Sequence, residues 1–145
     1  MNRKQIILET ICLLFFVLFL YTGVSKILDI ARIRVVMGSY PIIKPFSSWL
    51  SYAIISVEIL VALLLLWPEK RLIALYICFG LMALFTIYVI IVLKTSDHLP
   101  CTCGGVIQKM SWNQHLFFNL FFLALALLGI ILYDKQNDST YLLQQ

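Results

Sequence analysis

LIALYICFGLMALFTIYVIIVL, residues 72–93, runs for 22 residues without a charged side chain between Arg71 and Lys94. A helix needs about 20 mainly apolar residues to cross a hydrocarbon layer roughly 30 Å thick, so this stretch reads as a membrane span. Residues 5–24, 48–67 and 114–133 meet the same requirement. Lipid offers no partner for exposed backbone N–H and C=O groups, which makes each span a helix. The expected fold is an all-α membrane protein, a bundle of four transmembrane helices.

Composition points the same way. The 145 residues are 62% hydrophobic and 12% charged, a balance that excludes a water-soluble fold. A net charge of +4 suits anionic lipid headgroups, and there is no folded basic module for nucleic acid. No repeat or linker divides the chain, so residues 1–145 read as one domain, with 134–145 a polar, poorly ordered tail. The first span follows Arg3 and Lys4 but is too long for a signal-peptide core. With Tyr21-Thr22-Gly23-Val24-Ser25 a poor cleavage site, it reads as a retained anchor.

Only Pro68-Glu69-Lys70-Arg71 separates spans two and three, which makes them an antiparallel pair with Pro68 stopping the second helix. The longer intervals, 25–47 and 94–113, then share the side opposite both termini, and any extramembrane site belongs there. Charge does not orient the bundle. Five Lys and Arg residues (Arg3, Lys4, Lys70, Arg71, Lys135) lie on the side of the termini and six (Lys26, Arg32, Arg34, Lys44, Lys94, Lys109) opposite.

The interval 94–113 carries Cys101-Thr102-Cys103-Gly104-Gly105. Two thiols one residue apart, followed by glycines that allow a tight turn, can close a small strained ring. Such a disulfide is easily reduced and exchanged, which suits a catalytic dithiol better than a structural staple. Two other readings stay open: metal binding by His98, Cys101, Cys103 and His115 as a Cys₂His₂ zinc site, with Met110 suited to Cu(I), or a pair without chemistry.

Polar residues inside the spans are further candidates. Glu58 sits near the middle of span two, where insertion of an acidic residue costs roughly 2.5–3.5 kcal/mol, so it faces inward and is protonated or paired. Lys26 is the nearest obvious cation, although it can also pair with Asp29 one helical turn on. The plainer alternative is a neutral Glu58 hydrogen-bonded to Thr22, Thr86 or Asn119. In span four, Ser111, His115 and Asn119 recur at helical spacing and continue through Ala126 and Gly129, a stripe expected to face the bundle. His115 follows the CxC interval and can tune a thiol or shuttle a proton, or simply be hydrogen-bonded at the interface. Cys12 and Cys78 lie at matching depths, as ordinary buried residues or as a second thiol pair.

The stretch Phe19-Leu20-Tyr21-Thr22-Gly23-Val24-Ser25-Lys26-Ile27-Leu28-Asp29, Tyr40-Pro41, Glu58 and Cys101-Thr102-Cys103-Gly104-Gly105 together resemble the MauE family, related to the DoxX-like four-helix membrane proteins. The resemblance covers nearly the whole chain. Its most specific parts are Gly23-Val24-Ser25-Lys26 with Asp29 and the CxC-Gly element. The chain departs from the family pattern at Gly104, where an aromatic residue often stands (CxCFG). The resemblance implies a redox-associated protein of the bacterial inner membrane, both termini cytoplasmic and the CxC loop periplasmic. As an enzyme it would be a thiol-disulfide oxidoreductase. Cys101 and Cys103 would be its catalytic pair, supported by His115, Glu58, Asn119, Lys26 and Asp29. The family's namesake looks like a maturation factor for methylamine dehydrogenase, a substrate these residues do not themselves imply. A thioredoxin-like periplasmic protein or exported client is the expected partner, and a membrane quinone the expected electron acceptor. The alternatives in other classes are metal handling through the same loop and a non-enzymatic membrane assembly factor.

Overall fold

The structure, a computed structural model, describes residues 3–38, 44–95 and 111–142. Helices α1 (Arg3–Leu28), α2 (Ile30–Gly38), α3 (Ser47–Leu64), α4 (Arg71–Thr95) and α5 (Trp112–Leu142) follow one another, with single 3-10 turns at Lys44–Phe46 and Pro68–Lys70. No strand occurs among the described residues. Four of the helices, all but α2, are long and apolar enough to cross a membrane.

Each long helix buries a stripe at three- and four-residue spacing. In α1 the stripe is Leu8, Ile11, Cys12, Phe15, Phe19, Thr22 and Lys26; in α3 it is Ser51, Ile55, Glu58, Val61 and Ala62. Ala74, Leu75, Cys78, Met82, Thr86 and Val89 continue the pattern in α4, and His115, Asn119, Phe122, Ala126 and Ile130 in α5. The reverse faces are no less apolar. Leu13 is 60% exposed and Phe117 75%, which would be untenable in water and is the ordinary surface of a helix in lipid.

Inside the bundle α5 packs along α4 and α1 along α3. Phe15 meets Phe122 edge-on at 5.4 Å between ring centroids. Without a hydrophobic drive between helices in lipid, close approach at small residues supplies the packing. At Gly129 an added Cβ would stand 3.2 Å from both Ile11 Cγ2 and Leu75 Cδ2, so this glycine lets α5 settle against α1 and α4 together. Gly129→Leu is therefore predicted to destabilise the bundle by about 1–3 kcal/mol. A thermal melt of the detergent-solubilised protein that matched wild type would show that the contact is not tight.

Several boundaries differ from those expected of the sequence. All four spans are helical, but α1 and α5 outrun their expected lengths, and α5 continues to Leu142, past residue 134 where the polar tail is expected to begin. Pro68 does not itself stop the second span. The helix ends at Leu64, and Pro68 opens the 3-10 turn that leads into α4. Arg71 fastens this corner, donating through Nη1 to Glu9 Oε1 at 2.6 Å and through Nε to the Leu65 carbonyl at 3.3 Å.

Helix α2 is an addition that the sequence pattern of the interval 25–47 does not announce. It lies against α3, with Arg34 Nε donating to Ser48 Oγ at 3.1 Å and Met37 Sδ 3.3 Å from Ser51 Oγ. At the start of α5, Ser111 and Gln114 form a reciprocal capping box. The Gln114 N–H donates to Ser111 Oγ at 3.3 Å and the Ser111 N–H to Gln114 Oε1 at 3.0 Å.

Candidate functional site

The half of the bundle on the side of the two long intervals holds, among the described residues, a partly open cavity of about 270 Å³. Every helix contributes to it: Lys26 from the last turn of α1, Met37 from α2, Ser51 and Glu58 from α3, Tyr88 from α4, and His115 and Asn119 from α5. Thr22 of α1 adds a hydroxyl, and the remaining walls are apolar and partly aromatic, with Phe19, Phe85 and Phe118 among them. The volume is many times that of one water, about 30 Å³, and just below the roughly 300–1,000 Å³ of ordinary small-molecule sites.

Lys26 and Glu58 meet here as a buried ion pair, Lys26 Nζ donating to Glu58 Oε1. Neither charge is left to face lipid. Glu58 is fully buried, and the Lys26 ammonium also stands 5.3 Å from the centroid of the Phe85 ring, within cation–π range. Desolvating both charges is expensive and their attraction repays it only with good geometry, so such a pair is weak evidence for stability and stronger evidence for a retained task.

The pair does not use all of its polar atoms. Glu58 Oε2 has no hydrogen-bond partner among the described residues, nor does Asn119 Nδ2, and both are buried atoms of cavity-lining side chains. An acceptor and a donor are thus open in one apolar chamber, where unpaired polar atoms cost free energy. A chamber of this kind can hold a small lipid-soluble molecule by hydrogen bonds, with Glu58 placed to take or give a proton.

Of the residues that stand out in the sequence, Lys26, Glu58, His115 and Asn119 come together here. Glu58 meets Lys26, as expected of a carboxyl that is either paired or protonated, and the Thr22 hydroxyl also lies within reach of it. Thr86 turns back to its own helix, donating to the Met82 carbonyl at 2.6 Å, and Thr22 donates to the Phe19 carbonyl at 3.4 Å. Asp29 sits exposed at the α1–α2 junction, away from the cavity walls. The expected stripe of α5 faces the bundle from His115 to Gly129, whereas Ser111 is exposed and serves as the cap. His115 packs beside the Trp112 ring at 6.4 Å between centroids. Cys12 and Cys78 are free thiols buried in one apolar cluster, apart from the cavity lining.

Cys101, Cys103, His98 and Met110 lie outside the described residues. His115 is thus the one described member of the metal set, and among the described residues no three His, Cys, Asp or Glu side chains gather as a metal site. Ile33 and Met37 of α2 also line the cavity, a role the sequence reading missed. Ile30, Ile33 and Met37 repeat at the i, i+3, i+7 spacing of a helix face, a signal that Arg32 and Arg34 obscured.

A family model described as methylamine utilisation protein MauE matches residues 4–132. No curated protein and no solved structure matches the chain.

Proposed function

Because the chain belongs to the MauE family of membrane proteins, we propose that it carries out thiol-disulfide exchange through Cys101 and Cys103 in support of disulfide formation or maturation of an exported partner. The observation that carries this reading is the Cys101-Thr102-Cys103-Gly104-Gly105 element, placed on the connection between α4 and α5. The ends of those two helices bring Tyr88 and His115 to the cavity. In this reading the disulfide that the pair can close exchanges with a partner's dithiol through a mixed disulfide, which oxidises the partner and leaves Cys101 and Cys103 reduced.

In this reading the protein lies in the bacterial inner membrane with both termini in the cytoplasm. The CxC connection then faces the periplasm, where exchangeable disulfides persist. The partner is thioredoxin-like or is the exported client itself. A membrane quinone takes the electrons when the dithiol closes, since a bundle with so little mass outside the bilayer has a lipid-soluble acceptor at hand.

In-cell trapping with a membrane-impermeant alkylating reagent, in a Cys12→Ser/Cys78→Ser background, tests the reading. We expect Cys101 and Cys103 to resist labelling until a reductant is added and to label fully afterwards. Thiols that label equally with and without reductant would contradict an oxidising pair, and thiols that never label would contradict the outward placement.

A further inference from the structure

We propose that the cavity between Lys26, Glu58, His115 and Asn119 is the binding site for the headgroup of a membrane quinone, with Asn119 and Glu58 as its two polar anchors. The inference rests on the thiol-exchange reading for its redox sense, but the site stands on its own geometry. An occupant must be apolar enough to leave lipid for a chamber walled by Phe19, Phe85 and Phe118, and small enough for about 270 Å³. It must also satisfy one donor and one acceptor buried on different helices, Asn119 Nδ2 on α5 and Glu58 Oε2 on α3.

A quinone ring meets these conditions because its two oxygens lie on opposite edges of a flat, lipid-soluble body. One oxygen accepts from the Asn119 amide. In the quinol the other oxygen donates to Glu58 Oε2, and in the quinone, which has no donor, it accepts from Glu58 Oε2 when that oxygen carries a proton. Aromatic walls suit a flat ring, which packs edge-on or offset against them. A fatty-acyl chain would leave both polar atoms unpaired, and a charged headgroup would bring a further ion into the apolar chamber.

The stoichiometry closes with the thiol pair. Cys101 and Cys103 lose two electrons and two protons as their S–S bond forms, the quinone ring gains both, and one quinol leaves for each quinone that enters. Glu58, already held by Lys26 through its other oxygen, is the group positioned to exchange a proton with the ring.

The test is photolabelling of the purified full chain in lipid nanodiscs with an azido-substituted short-chain ubiquinone, mapped by mass spectrometry and competed with decylubiquinone. We expect label on the cavity walls of α4 and α5, competed by the free quinone. Asn119→Leu should weaken competition about tenfold, as loss of a buried hydrogen bond would. The same substitution removes the orphaned Nδ2 and keeps the branched shape of the side chain, so its melting temperature should equal or exceed wild type. Weakened competition with retained stability separates a binding role from a structural one. Label spread over lipid-facing positions, or competition untouched by Asn119→Leu, would overturn the site. The Cys101→Ser/Cys103→Ser protein should label like wild type. If wild type binds quinone but its thiols are never oxidised by it, the thiol reading fails and the site survives. Thiol oxidation without cavity labelling would instead remove the site and leave the thiol reading standing.

Discussion

Lys26→Met is expected to destabilise the bundle by roughly 3–5 kcal/mol, because it strands the Glu58 carboxylate in an apolar interior. Methionine keeps the length of the lysine stem, so little of the loss comes from packing. The companion Glu58→Leu in the same chain should restore stability to wild type or above, since a buried ion pair replaced on both sides by apolar residues is often neutral or stabilising. Thermal melts of the single and double variants in one detergent decide the matter. If Lys26→Met were harmless, Glu58 would be protonated and the pair dispensable. If the double variant stayed as unstable as the single, packing rather than charge would be the cause.

On the thiol-exchange reading proposed above, Cys101→Ser/Cys103→Ser should reduce oxidation of a partner's thiols to the uncatalysed background, because the thiolate is the nucleophile and serine does not replace it. The single variants are more informative than the double. With one thiol left, an exchange begun on the partner has no neighbouring thiol to resolve it, so a reductant-sensitive conjugate should accumulate on a non-reducing gel. A Cys12→Ser/Cys78→Ser protein should behave as wild type in both assays, in keeping with two thiols buried in the apolar cluster. Full partner oxidation without Cys101 and Cys103 would leave the assembly-factor reading in place of the redox one.

The spans are legible in the sequence because about twenty mainly apolar residues in a row form a helix in lipid. Pairing inside the bundle is legible only in part. With a first span ending at residue 24, Lys26 reads as a membrane-edge residue with Asp29 within reach. The helix in fact runs to Leu28, and Lys26 continues the stripe of Phe15, Phe19 and Thr22 into the bundle. The phase of that stripe is present in the sequence, whereas the length of α1 and the approach of α3 at Gly23 are not. An added Cβ at Gly23 would lie 3.1 Å from Ile59 Cγ1, beside Glu58. Helix α2 escapes notice because nine residues with two arginines carry too weak a pattern, and its place over α3 depends on contacts such as Arg34 with Ser48. His115 and Asn119 are recognisable as one inward face, but that they share a chamber with Glu58 follows from the helix crossings alone.

The Lys26–Glu58 pair also bears on how the chain is assembled during synthesis. Helix α1 is translated first and carries its ammonium near the end of the span, where a lysine stem can reach the interface and keep its charge in water while it waits. Helix α3 arrives later with a carboxylate in mid-span, and on its own would enter lipid at a penalty of roughly 2.5–3.5 kcal/mol. With the countercharge already in the membrane, α3 has a docking partner as soon as it emerges. The order of the two charges along the chain thus makes the first helix a receptor for the second pass, beyond its use as an anchor. Exchanging α1 for an unrelated apolar span of equal length would leave the membrane crossed but the next helix without its guide.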